Sequence, residues 1–144
     1  MGISGKQLRK IQKLQNAAIR TVYKLQIRLS VSDCYKELHW LNVEQRITFK
    51  LILFVFKAIN GKSSQDISEL IHLKDPVRMT VKENLFFPKT AIGRRAFCYL
   101  GPRYWNLLPS DIRQCTDIIK FKTLLKSHLL MHYQSLKNSF KAAR

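Results

Sequence analysis

The chain is 144 residues long, 46% hydrophobic, and carries 26 Lys and Arg against 9 Asp and Glu, a formal net charge of +17 at pH 7. A chain of that length forms one domain by default and can bury roughly 70% of its unfolded surface, and so apolar a composition excludes wholesale disorder. The charge implies an anionic partner (nucleic acid, an acidic protein or an anionic membrane) and carries no information about fold.

The first predicted element is a basic amphipathic helix over residues 6–28. At about 100° per residue, Leu8, Ile11, Leu14, Ala18, Ile19, Val22 and Leu25 fall on one side, expected to seek the core. Lys6, Arg9, Lys10, Lys13, Arg20, Lys24 and Arg28 fall on the other, and no acid occurs before residue 30. Solvated faces normally mix both signs, because like charges one turn apart repel by ~0.2–0.5 kcal/mol per pair. One-sign placement over the whole helix favours a face that binds anions over one that is merely wet.

Residues 30–73 read as the central helical core. Ser30 or Ser32 can cap a short helix reaching His39, with Asp33 completing a Ser-x-x-Asp box for Ser30. Asn42 is a good cap for the next helix, with Gln45 three residues on. That helix runs to about Ile59 and stops at Asn60-Gly61, where glycine accepts the left-handed conformation that ends many helices. It is apolar nearly all round, with Arg46, Lys50 and Lys57 as a narrow polar stripe, so it is expected to be the buried centre. Trp40, with Leu38 and Leu41, reads as a structural knot between these two helices. A linker and a short helix to Leu73 follow, with Ile67, Leu70 and Ile71 inward.

Residues 74–109 read as loop followed by an Arg/aromatic motif. Pro76 and Pro88 break any helix, and a brief extended run is expected at residues 84–87. Pro102 suits the first turn of a short helix that Pro109 terminates, with Trp105 and Leu108 on one face. The segment 110–136 is expected to hold the last helix, capped by Thr116 or Asp117, running to about Leu136 and burying Ile118, Phe121, Leu125 and Leu129, with Leu124 beside them. Residues 137–144 are a tail expected to fray. The fold class is therefore mainly α: about five to six helices, with an irregular loop or extended segment near 74–101, in one domain spanning 1–144.

Chemistry-bearing patterns are sparse. Cys34, Cys98 and Cys115 are an odd number without Cys-x-x-Cys spacing, which fits a reducing compartment and matches no zinc-ligand spacing with His39. His39, His72, His128 and His132 make no nucleophile–base arrangement. His128 and His132 share a helix face at i, i+4, but without a third ligand they read as surface histidines. No metal and no cofactor is expected, and only five glycines occur, none as Gly-x-Gly. No apolar run approaches the ~20 residues that span a bilayer; a membrane is not the expected partner, and membrane-surface association through the helix over 6–28 stays a minor alternative. Lys6 stands where a myristoylation signal after Gly2 wants Ser or Thr. Nuclear or cytoplasmic residence is expected, with the acid-free basic start leaving a mitochondrial presequence as the minor alternative.

The most specific stretch is Ile92 to Pro109, with Gly93-Arg94-Arg95-Ala96-Phe97 ahead of Pro102-Arg103-Tyr104-Trp105-Asn106-Leu107-Leu108-Pro109. Arg94, Arg95 and Arg103, interleaved with Tyr99 and Tyr104, have the composition of a single-strand site in which arginines hold phosphates and rings stack bases. Phe97 and Trp105 read as core anchors instead. This stretch resembles a segment near the C-terminus of reverse transcriptases from LINE-type (non-LTR, jockey-like) retrotransposons. The resemblance extends through Leu14-Gln15-Asn16-Ala17-Ala18-Ile19-Arg20, through Leu38-His39-Trp40-Leu41-Asn42-Val43-Glu44-Gln45-Arg46-Ile47 with Phe49-Lys50-Leu51, and through Phe121-Lys122 with Leu124, Leu125 and Lys126. Asn42 stands where the family usually has Pro, and residues 74–89 follow no family pattern.

The resemblance implies a post-thumb region of an RNA-directed DNA polymerase, detached from fingers and palm that would precede Met1. Such polymerases hold two Mg²⁺ on paired aspartates, whereas Asp33, Asp66, Asp75, Asp111 and Asp117 are scattered; no catalysis is expected. The implied role is to hold template RNA or target DNA through phosphates, with Lys6, Lys10, Lys13, Arg20, Lys24, Arg94, Arg95 and Arg103 as contacts, Tyr99 and Tyr104 as stacking partners, and little sequence readout. The alternatives are a module that docks on the missing thumb, and a functionless relic of a truncated reading frame.

Overall fold

The computed structural model describes residues 4–26, 29–69, 71–73, 85–86 and 97–142. Within them the chain is mainly α. Helix α1, Gly5–Tyr23, starts at a capping box: Ser4 Oγ accepts from the Gln7 N–H at 3.3 Å while Gln7 Oε1 accepts from the Ser4 N–H at 2.9 Å. It stops where Lys24 turns left-handed at φ 51°.

Helix α2 spans Ser32–Glu37 and helix α3 spans Val43–Ile59. The predicted Ser30 box does not form; Ser30 Oγ accepts from the nearby Ser32 N–H at 3.2 Å, and Val31 is the cap residue. The Asn42 cap does form. Asn42 Oδ1 accepts from the Gln45 N–H at 2.9 Å and Gln45 Oε1 accepts from the Asn42 N–H at 2.8 Å. Helix α3 ends at Asn60, with Gly61 at φ 64° as expected of a left-handed stop. Ile52, Val55 and Phe56 are wholly buried on it, while Phe54 stays 48% exposed, so α3 is central without being enclosed on every side.

The predicted helix to Leu73 is shorter. Helix α4 covers Gln65–Glu69, and His72–Leu73 is instead strand β1, paired antiparallel with strand β2, Leu85–Phe86, so that His72 faces Phe86 and Leu73 faces Leu85. Strand β2 falls within the extended run expected at 84–87; Pro76, Pro88 and Leu70 lie outside the described residues.

Helix α5, Phe97–Asn106, begins five residues before Pro102, which therefore sits inside it and not in its first turn. A proline there removes one helical hydrogen bond. Packing compensates, since every residue from Tyr99 to Trp105 is buried. Gly101 is required by that packing: a Cβ there would lie 2.7 Å from Val55 Cγ2, closer than carbon atoms approach, so glycine lets α5 lie against α3.

Helix α6, Ser110–Arg113, follows Pro109, and helix α7 runs Ile118–Ala142. Asp117 begins α7, its Oδ1 accepting from the Lys120 N–H at 2.7 Å. Residues 137–142, expected to fray, are helical. Phe140 stacks on Tyr104 with centroids 4.3 Å apart, and Lys137 Nζ meets Glu44 Oε2 at 2.5 Å, so tertiary contacts hold the last turns. The core lies where α3, α5 and α7 meet: Phe56 stacks on Phe121 at 4.0 Å and Trp105 on Phe121 at 5.9 Å. Gln45 Nε2 also ties α3 to α7 by donating to the Leu129 carbonyl at 2.9 Å. Ile19, Val31 and Cys34 form a second, smaller cluster beneath α1 and α2.

Candidate nucleic-acid interface

Helix α1 does not pack as its amphipathic pattern suggests. Of the apolar stripe, Ile19 is fully buried and Leu8 and Leu25 are half-buried, while Ile11 is 43%, Leu14 71% and Val22 69% exposed and Ala18 is exposed beside them. The helix docks through amides instead. Gln12 Nε2 donates to the Tyr35 hydroxyl at 2.7 Å and to Asn16 Oδ1 at 2.9 Å, and Gln12 Oε1 accepts from the Val43 N–H at 2.9 Å. The Tyr35 hydroxyl donates to Asn16 Oδ1 at 2.8 Å, and Gln15 Nε2 to the Leu41 carbonyl at 3.0 Å. These amides satisfy backbone groups where α3 begins, which an apolar face could not do.

The consequence is that Lys6, Arg9, Lys10 and Lys13 remain exposed on α1, and Lys24 at its cap, with no carboxylate in the helix. Arg20 departs from this face: it is half-buried and its Nη2 donates to the Leu29 carbonyl at 3.2 Å. Arg94 and Arg95 lie outside the described residues.

Arg103 is corrected outright. It is 4% exposed, its Nη1 donates to the Tyr99 hydroxyl at 2.7 Å, its Nη2 donates to the Phe140 carbonyl, and its guanidinium lies 4.1 Å over the Phe140 ring. Tyr99 and Tyr104 are likewise buried, at 8% and 7% exposure, so neither ring is open to a base. The i, i+4 spacing on α5 turns Tyr99 and Arg103 toward the end of α7, a placement that composition does not reveal. Burial, and then Tyr133, push the Tyr104 phenol above its ordinary pKa. Trp105 is fully buried in the core, and Phe97 is half-buried with its ring edge-on to Phe54 at 6.4 Å.

Trp40 also departs from its expected packing role. Leu41 is buried and Leu38 half-buried, but Trp40 is 38% exposed. It stands on the wall of a groove of about 490 Å³ between α1, α2 and α3, with Arg9, Gln12, Asn16, Tyr35 and Lys36 around it. Burial raises the Tyr35 pKa against the lowering pull of Gln12 and Arg46, so the phenol stays protonated and serves as both donor and acceptor. Lys36 pairs with Asp33 at 3.2 Å, but both side chains are more than four-fifths exposed and such a pair is weak. Glu44, the acid lining the groove, is met by Lys137.

Leu130 joins this groove to a second hollow, about 540 Å³, bordered by His39, Phe49, Lys122 and Lys126. Arg9, Lys36, Lys122 and Lys126 were absent from the sequence-derived contacts; the available signals were Arg9's place on the basic face of the first helix and the i, i+4 spacing of Lys122 and Lys126. The His128 and His132 rings lie tilted at 37° to each other with centroids 5.2 Å apart beside Leu107 and Pro109, and burial, followed by His132, lowers the His128 pKa. Among the described residues no group of three His, Cys, Asp or Glu could hold a metal, and no helix is long and apolar enough to cross a membrane.

No family model matches this chain, and neither does any curated protein or solved structure.

Proposed function

We propose that this chain is a non-catalytic nucleic-acid-binding module, of the kind its resemblance to the C-terminal region of LINE-type reverse transcriptases implies, holding RNA or DNA by the phosphates. The observation that carries the reading is α1, a helix of 19 residues that leaves Lys6, Arg9, Lys10 and Lys13 exposed without a carboxylate among them. Lys24, the residue that caps α1, is also exposed; Lys36 borders the groove that α1 lines, and Lys122 and Lys126 border the second hollow, which shares Leu130 with it. Contacts of this type position a strand without reading its sequence.

About six to ten phosphate contacts should lose ~10³–10⁵ in affinity between roughly 50 and 200 mM salt. Fluorescence anisotropy with a labelled RNA hairpin, a DNA duplex and a single strand measures this directly. The variant Lys10→Gln/Lys13→Gln is expected to lower the salt slope on duplex by about two, near 0.9 per contact. A flat salt response overturns the reading.

A second reading, protein docking, is favoured by the exposed stripe of Ile11, Leu14, Ala18 and Val22. The stripe is narrow and lacks aromatics, which suits a helix-to-helix seam and not the broad aromatic face of an interfacial membrane helix. With lysines alongside, the fitting partner is an amphipathic helix carrying carboxylates beside its apolar seam. Leu14→Ser/Val22→Ser is expected to weaken binding of an acidic amphipathic peptide at least about tenfold, by loss of apolar contact, while RNA affinity stays constant. Peptide binding that ignores the double variant removes this reading.

A further inference from the structure

We infer that the groove between α1, α2 and α3 receives an unstacked base of a single strand, with Trp40 as the stacking platform and Arg9 and Lys36 on the flanking phosphates. The inference rests on the nucleic-acid reading and goes beyond it, because phosphate contact alone calls for no aromatic.

Trp40 is placed by backbone geometry, not by packing. His39 takes the left-handed conformation at φ 50°, unusual for a residue other than glycine. The His39 N–H donates to the Lys36 carbonyl at 3.0 Å and the Trp40 N–H to the Tyr35 carbonyl at 2.9 Å, the two bonds of a Schellman turn closing α2. That turn sets Trp40 next to Tyr35 at the groove wall and leaves the indole 38% exposed, whereas the chain's other tryptophan, Trp105, is 0% exposed.

The hollow suits the occupant. At about 490 Å³ it falls in the range of small-ligand sites and has ample room for one base. Its walls are fixed before binding by the bonds among Gln12, Asn16 and Tyr35, which tie α1 to α2 and to the start of α3. Arg9 and Lys36 border the groove from α1 and α2, so a strand whose base enters meets cations from two helices. A duplex keeps its bases stacked inside and can use only the cations. Single strands offer every base as a π face, and stacking on an aromatic tolerates any sequence.

The two tryptophans make the test selective. A base stacked in the groove quenches Trp40, while buried Trp105 keeps its emission. Titrating the full chain with a single-stranded oligonucleotide should quench part of the emission; a duplex of equal length should bind without quenching. Trp40→Ala should weaken single-strand binding about five- to hundredfold, the range of one lost stack, and leave duplex affinity unchanged. Trp40→Phe should restore most of the loss, and Arg9→Gln/Lys36→Gln should weaken the single strand more than the duplex. Single-strand binding without quenching, or equal quenching by duplex, overturns the inference and leaves phosphate binding standing. Failure of both strands to bind removes the nucleic-acid reading as well. If Trp40→Ala does not fold, wild-type quenching and the Arg9/Lys36 variant decide.

Discussion

Phe121→Ala is expected to lower the free energy of unfolding by ~3–5 kcal/mol, the range for deleting a buried aromatic ring. Phe121 is 0% exposed and its ring stacks against two others, with centroids 4.0 Å from Phe56 of α3 and 5.9 Å from Trp105 of α5. The substitution therefore opens a cavity where three helices meet. Domains of this size are stable by about 5–15 kcal/mol, so the loss is a large share of the total. Ile119, two residues earlier on the same helix, is 72% exposed, and Ile119→Ala should stay within ~0.5 kcal/mol. Urea unfolding of the two variants, followed by far-UV circular dichroism, checks the contrast. Similar midpoints for both would mean that α7 does not pack as described.

Arg103→Ala is expected to cost about 2–4 kcal/mol of stability and no nucleic-acid affinity in the molecules that remain folded. Its removal strips the part-buried Phe140 carbonyl of a charged donor, a hydrogen bond of about 1.5–3 kcal/mol, and takes away the cation held 4.1 Å over the Phe140 ring. The last turns of α7, residues 137–142, lose an anchor and should exchange their amide protons faster. Arg103→Lys should recover little, since an ammonium cannot meet the Tyr99 hydroxyl and the Phe140 carbonyl with one planar fork while stacked. Thermal unfolding and anisotropy at low temperature separate the two effects. Lost affinity at unchanged stability would return Arg103 to the surface role its composition suggested.

The two predictions divide along what a sequence can and cannot express. Phe121, Leu125 and Leu129 were legible as a buried face because 3.6-residue periodicity is a local property, and so was the Asn42–Gln45 cap, whose bonds join groups three residues apart. The stop of α3 at Gly61 was legible for the same reason. Arg103 was not. Arginine beside tyrosines has one composition whether the guanidinium faces solvent or lies over a ring brought from residue 140. Only the docking of α7 on α5 chooses between them.

Helix α1 carries the same lesson further. Its basic face was readable, and the exposed Lys6, Lys10 and Lys13 lie on it. Which side of α1 meets the protein was not readable, because Gln12, Gln15 and Asn16 find partners at Tyr35, Leu41 and Val43, 19 to 31 residues away. Half-buried amides that reach hydrogen-bond partners on other elements can win an interface that a hydrophobicity pattern awards to leucines.

The sequence by itself determined a mainly helical chain, the position of its central helix, and a large excess of positive charge. Those depend on local geometry and on summed charge, both of which survive unfolding. The tertiary structure decided which cations stay in water, that Tyr99 and Tyr104 are closed to ligands, and that Trp40 opens onto a groove. Exposure is a relation between segments far apart in the chain, and it exists only once α1, α3, α5 and α7 have packed.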